Sequence, residues 1–134
     1  MWAADVASQH LGIRLEEVKV GYARASMHVV STMVNGHDIC HGGYVFSLAD
    51  TAFAFACNSD GMRTVAAACH IVFVGPARRG DELTAEARER VRFGRSGIYD
   101  VTVRRQDSTV VAELRGHSRL TGGSFLPSSE TETS

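Results

Sequence analysis

A chain of 134 residues with 14 Lys and Arg against 15 Asp and Glu, formal charge −1, can bury one core but is too short for two. That balance leaves no bulk basic field for nucleic acid or an anionic membrane, so any anionic ligand must be met by local charges. Three cysteines without framework spacing, a start lacking the basic-then-apolar pattern of a signal peptide, and no apolar run near the ~20 residues of a membrane span lead to the expectation of a soluble protein in a reduced, cytoplasmic setting.

In chain order, Trp2 to Leu11 reads as a short amphipathic helix ended by Gly12. Tyr22 to Ser31 alternates as a half-buried strand requires, with Ala23, Ala25, Met27 and Val29 on one face. A polar stretch from Thr32 to His41 leads into Gly42-Gly43. Tyr44 to Ser59, dominated by Ala, Phe and Leu without Pro or Gly, then predicts the one long helix, apolar almost all round and therefore buried. Thr64 to Val74 is apolar on both faces, which predicts a central strand covered on both sides. Leu83 to Phe93 alternates, setting Leu83, Ala85, Ala87 and Val91 opposite charged neighbours. Ile98 to Gln106 puts Tyr99, Val101 and Val103 on one face, and Val110 to Leu120 does so with Val110, Ala112 and Leu114. Turn-rich segments at Gly75–Gly80, Gly94–Gly97 and Asp107-Ser108 separate these strands. One strand, one buried helix and four further strands is the order of an α+β hotdog fold, an antiparallel sheet of five to six strands curled around a central helix. It forms a single domain over 1–126, followed by a Ser, Thr and Glu tail, 127–134, expected to be disordered.

The chemistry centres on that helix. At 100° per residue, Ser47, Asp50, Thr51, Ala54 and Asn58 form one polar stripe on an otherwise apolar rod. A carboxylate in the middle of a buried helix must be paired, protonated or functional, so Asp50 either bonds a neighbouring strand or subunit or is a working group. His41-Gly42-Gly43 opens the helix, where free N–H groups and the positive end of the macrodipole can stabilise an oxyanion; the plain alternative is a loop-to-helix turn. Gly42 and Asp50 are separated by about 12 Å of helical rise, too far to touch one carbonyl carbon. If both act together, Asp50 must face the Gly42 turn of a second chain, which predicts an obligate homodimer with shared sites. The sheet edges and apolar Thr64 to Val74 supply interface material.

His37, Cys40 and His41 lack a recognised ligand spacing, so no metal is expected, and Cys40 ranks below Asp50 as a nucleophile because nothing pre-orders a partner for it. Cys57 and Cys69 read as core residues. Arg78, Arg79, Arg92, Arg95 and Arg105 gather around two predicted turns; Arg78, Arg79 and Arg95, with Ser96, are the candidate contacts for nucleotide phosphates, an ordinary solvated rim being the alternative.

The run from Asn35 through His41-Gly42-Gly43 to Ser47-Leu48-Ala49-Asp50-Thr51-Ala52-Phe53-Ala54 resembles the signature of hotdog thioesterases from bacterial phenylacetate degradation, in which the HGG triplet is followed at this spacing by an acidic residue. The likeness extends over Ala66 to Pro76, Gly80-Asp81 and the Gly94 to Gly97 turn, and so over most of the chain. It implies hydrolysis of an aromatic acyl-CoA, phenylacetyl-CoA or a ring-hydroxylated form of it, without a cofactor. Asp50 would be nucleophile or general base, Gly42 would polarise the thioester carbonyl through its N–H, Asn35 and His41 would line the site, and Thr51 would assist Asp50. It also implies a dimer of dimers. Straight-chain acyl groups of medium length remain open, since Tyr44, Phe46, Phe53 and Met33 serve equally as an aromatic pocket or as core. Two rival readings are an enoyl-CoA hydratase or dehydratase of the same fold, whose paired Asp and His motif is not found here, and a non-catalytic acyl-CoA-binding module.

Overall fold

The computed structural model describes residues 2–124, so the expected tail lies outside the described residues. The amino-terminal segment is not one helix. A 3-10 turn at Trp2–Ala4 precedes a five-residue helix, α1 (Val6–His10), whose N-cap Asp5 accepts a hydrogen bond from the Ser8 N–H at 3.1 Å. Gly12, at φ +74°, turns the chain out of it.

Six strands follow with one long helix between them: β1 (Arg14–Lys19), β2 (Tyr22–His28), α2 (Gly42–Cys57), β3 (Met62–Phe73), β4 (Glu82–Phe93), β5 (Ser96–Arg104) and β6 (Val110–Ser124). They form one antiparallel sheet in the order β1-β2-β4-β5-β6-β3. This is the hotdog arrangement, with six strands where periodicity marked five. The strand it missed, β1, is charged at Arg14, Glu16, Glu17 and Lys19 and lies at a sheet edge, where charge discourages further pairing.

The inner face of the sheet is built to let a helix approach. Ala23, Ala25 and Met27 of β2, Leu83, Ala85 and Ala87 of β4, Val101 and Val103 of β5 and Ala112 of β6 are wholly buried, as are Leu48, Ala49, Ala52 and Phe53 of α2. Small strand side chains let the rod sit close. At β6 the fit needs glycine itself, because a Cβ on Gly116 would come within 2.7 Å of the Phe53 ring. That ring also packs against Tyr99, centroids 5.6 Å apart, so Phe53 is core and takes no part in a pocket. Met33 is likewise buried.

Two strand expectations need correcting. β3 is not a central strand: it bonds β6 alone and forms the second sheet edge, leaving Val72, Phe73 and Val74 more than half exposed. Its apolar outer face is therefore uncovered within one chain. In β4 the alternation holds for Leu83, Ala85 and Ala87 but fails at Val91, which is exposed because a bulge between Glu89 and Val91 shifts the register against β5.

Candidate active site

Helix α2 begins two residues earlier than its composition predicts, at Gly42, with His41 as N-cap in an extended conformation and no side-chain capping bond. The preceding loop is fixed by the Asn35 side chain and by backbone bonds within it and to the Ala77 segment. Asn35 Oδ1 accepts from the N–H groups of His37 and Ile39 at 2.9 and 3.1 Å, Cys40 N–H donates to the Ala77 carbonyl at 2.7 Å, and His41 N–H donates to the Met33 carbonyl. These bonds aim the first turn of α2. The N–H groups of Gly42 and Gly43 meet no acceptor among the described residues, as expected for the first turn of an uncapped helix.

Gly42 has a second reason to be glycine. A Cβ there would lie 2.8 Å from Cζ of Phe73, whose ring covers the turn. Beside it opens an apolar cavity of about 410 Å³ lined by Ile39, Cys40, Val45, Phe73, Ala77 and Val111, with Gly42 in its wall.

The predicted polar stripe divides in two. Ser47, Asp50 and Ala54 are partly exposed, whereas Thr51 and Asn58 are buried and bonded within the chain. Asn58 Nδ2 donates to the carbonyls of Ala54 and Thr64, and its Oδ1 accepts from the Thr64 N–H. The Thr51 hydroxyl donates to the Ser47 carbonyl at 2.8 Å and lies 2.8 Å from the Ser8 hydroxyl. The Asp50 carboxylate has no hydrogen bond or ion pair among the described residues. Burial, with a smaller contribution from the nearby charge of Asp5, holds its pKa above the usual carboxylate value. A desolvated, unpaired carboxylate is a stronger base than one in water.

The other candidates fall into two places. His41 is exposed at the α2 start, and Arg78 and Arg79 lie on the adjoining loop, tied to it by a bridge between Ile39 and Arg78 and by the Arg79–Asp38 pair at 3.5 Å. Arg95 and Ser96 lie at the β4–β5 turn, with Arg95 Nη2 on the Leu120 carbonyl. The length of β4, about 36 Å at the usual strand rise, separates the two groups, so one chain does not bring all four together. Cys40 is buried with its thiol pKa raised to about 11 by desolvation, and its Sγ–H faces the His41 carbonyl at 3.6 Å. At neutral pH it carries almost no thiolate, which removes the main condition for a cysteine nucleophile.

The wrapped sheet has counterparts among known proteins. Residues 37–112, more than half of the chain and including both Gly42 and Asp50, match the model of the Thioesterase superfamily. The chain belongs to that superfamily. It is 45% identical over 125 residues to the acyl-coenzyme A thioesterase PaaI of Escherichia coli, covering 93% of this chain and 89% of that one. The solved structure of E. coli PaaI, from the phenylacetic acid degradation operon, superposes with a TM-score of 0.91 over 92% of this chain and 90% of the other. A putative esterase of Archaeoglobus fulgidus is 34% identical over 96% of this chain and 84% of its own length. A Streptococcus mutans protein solved with acetyl-CoA bound is 25% identical, with a TM-score of 0.79 over 84% of this chain and 90% of its own.

Periodicity and spacing missed two features around the site: Phe73, which decides what Gly42 can be, and the Ser8–Thr51 bond, which spans 43 residues of sequence. Aromatic residues at the end of a strand carry no local mark of what they cover. Nor does a serine in a short helix.

Proposed function

We propose that this chain is an acyl-CoA thioesterase that hydrolyses an arylacetyl thioester of the phenylacetyl type, with Asp50 as its working carboxylate. The observation that carries the reading is Asp50 itself: a partly buried carboxylate of raised pKa, unpaired among the described residues, on a helix whose first-turn N–H groups meet no acceptor among them. The chain's 45% identity to an acyl-coenzyme A thioesterase supports the substrate class. The thioester carbonyl oxygen lies against the Gly42 N–H, where the charge that develops on it in the tetrahedral intermediate meets a pre-oriented donor. The acyl group enters the apolar cavity beside Gly42, which is roomy enough for an aromatic ring. Arg78 and Arg79, on the adjoining loop, meet the CoA phosphates in this reading, and Arg95 and Ser96 serve the same end only from another subunit.

Asp50 is about 12 Å up the helix from Gly42, so the carboxylate that acts on this carbonyl belongs to a second copy of the chain. The uncovered apolar edge at β3 supports such a homodimer with shared sites, because a long strand paired on one side only, with exposed Val65, Val72 and Phe73, is a ready surface for the same strand of a partner. Two such dimers complete the assembly. Asn35, through its remaining amide donor, and His41 line the entrance to the site, while Thr51 acts from behind Asp50. The carboxylate either attacks the thioester directly, giving a mixed anhydride, or deprotonates a water that attacks; both routes expel the CoA thiolate and end in free acid.

A panel of acyl-CoA thioesters with thiol detection tests this reading. Release should be fastest from phenylacetyl-CoA or its ring-hydroxylated forms, and a sizing column should show no monomer. Hydration of crotonyl-CoA without thiol release would replace the reading with that of a hydratase. Single turnover in heavy-oxygen water separates the two routes: label in Asp50 marks direct attack, and label only in the released acid marks an activated water.

A further inference from the structure

Phe73 ends β3 with about half of its surface exposed, although it reaches both the start of α2 and the cavity beside it. The chain turns immediately after it. The N–H groups of Val74 and Gly75 both donate to the Val111 carbonyl, at 2.8 and 3.2 Å, and a Cβ on Gly75 would come within 3.3 Å of the Val110 carbonyl oxygen. Those bonds fix the strand end, and with it the backbone that carries Phe73, beside α2. The approach is so close that Gly42 has no room for a side chain: a Cβ there would lie 2.8, 3.0 and 3.3 Å from Cζ, Cε1 and Cε2 of the ring. The tip of the ring therefore rests on the residue whose N–H takes the thioester oxygen.

We propose that Phe73 is the specificity-determining residue of the site: its ring packs against the aryl ring of the bound acyl group and so selects arylacetyl thioesters over saturated ones of the same size. The proposal rests on the reading that a thioester held at Gly42 sends its acyl group into this cavity. Among the described residues Phe73 is the only aromatic one that lines it; Met33, Tyr44, Phe46 and Phe53 do not. The rest of the wall, apart from the neutral Cys40 thiol, is aliphatic or bare backbone, and such a wall receives a saturated ring as readily as an aromatic one. In an arylacetyl group a single methylene separates the carbonyl carbon from the ring. An oxygen seated on the Gly42 N–H thus sets the substrate ring beside a ring that already touches Gly42. Aromatic pairs gain from offset or edge-to-face contact beyond the area they bury, and a cyclohexyl ring does not. Phe73 has exposed surface for that contact, whereas Phe53 and Tyr99 pack against each other in the core.

The test compares phenylacetyl-CoA with cyclohexylacetyl-CoA, which are similar in size, as the ratio of their kcat/KM values on the full-length assembled protein. A ratio taken within one variant cancels the fraction of active enzyme, so partial loss of folded protein does not imitate the effect. Wild type should favour the aryl substrate. Phe73→Leu, which keeps an apolar side chain and removes the ring, should lower that ratio by about 2- to 12-fold, the range of a single aromatic pair. Phe73→Ile, β-branched and suited to a strand, reads the same loss where leucine does not give a folded assembly. Val74→Ala trims another exposed residue of the cavity wall and should move the two substrates together. A ratio unchanged in the Phe73 variants, or lowered as far by Val74→Ala, overturns the proposal. Failure of the underlying reading looks different: a wild-type protein that releases no thiol from either substrate refutes the thioesterase itself, whereas one that turns both over with the same preference in every variant loses only the role of Phe73.

Discussion

The two ends of α2 are finished in opposite ways. At the carboxyl end Asn58 closes the helix, its N–H on Ala54 and its side chain bonding both backbone groups of Thr64. At the amino end no side chain caps the helix, and the N–H groups of Gly42 and Gly43 meet no acceptor among the described residues, in a turn that is otherwise held by Asn35, Cys40 and His41. The same division runs along the polar stripe, where among the described residues Thr51 is bonded twice and Asp50 not at all. Fold and chemistry ask different things of a polar group. One needs it satisfied inside the chain, and the other needs it held in place with its bonding capacity unspent.

The largest effect that tests this contrast is at the unspent carboxylate. Asp50→Asn keeps shape and loses the base, and thiol release should fall by the 10²- to 10⁴-fold typical of a lost general base, or further if Asp50 attacks directly, while CoA affinity stays near wild type. A rate within a factor of about three of wild type would remove Asp50 from the mechanism. Next comes the helix start. Gly42 occupies the first helical position, where proline is conformationally welcome, so Gly42→Pro deletes the donor without breaking the helix. Any side chain there meets Phe73, however, and the comparison is clean only with that ring cut back. In a Phe73→Ala background, Gly42→Pro should lose about 10²- to 10³-fold in kcat, while Gly42→Ala, which keeps the N–H, should lose little. Equal losses in the two would place the oxyanion donor elsewhere.

At the sealed end the expectation reverses. Asn58→Ala leaves the buried N–H and carbonyl of Thr64 without partners, at about 1–3 kcal/mol for each unsatisfied group, so the urea midpoint should drop clearly while kcat of the folded enzyme holds. A variant that kept its midpoint and lost its rate would mean that this end, too, serves the reaction.

What could be read in advance follows the same line. Gly42 and Asp50 stood out in the sequence because each violates a local rule, a glycine pair opening a helix and a charge in an apolar rod, and violations of that kind are visible without coordinates. The central helix and the inward faces of β2 and β5 were equally legible, since Ala23, Ala25 and Met27, and Tyr99, Val101 and Val103, are all buried as their period demands. β1 was not, because an edge strand protected by Arg14, Glu16, Glu17 and Lys19 has no apolar period to detect. β3 misled for the converse reason: apolar residues on both faces suggest burial within the chain, but the outer face is bare in a single copy, and periodicity does not say whose surface will cover it. The bulge at Glu89 and the separation of Arg78 from Arg95 along β4 are likewise matters of register and length in three dimensions. Neighbouring turns in a sequence can lie at opposite ends of a sheet.

The smallest effect is on stability, and its sign is the most informative. Burial raises the pKa of Asp50 in the folded chain, so the fold binds that proton more tightly than the unfolded chain does. The resulting stabilisation is complete below the unfolded carboxylate pKa and is lost as pH rises through the folded value, which leaves the ionised side chain a net cost at neutral pH. Asn in its place carries no such cost. Asp50→Asn should therefore melt above wild type at pH 7, with the gap closing as pH falls through the carboxylate range and wild-type Asp50 becomes neutral. A carboxylate engaged in a structural bond would behave in the opposite way, its loss lowering Tm most at neutral pH. Thermal unfolding of the two proteins across that range thus separates a side chain kept for chemistry from one kept for the fold, even where turnover is not measured.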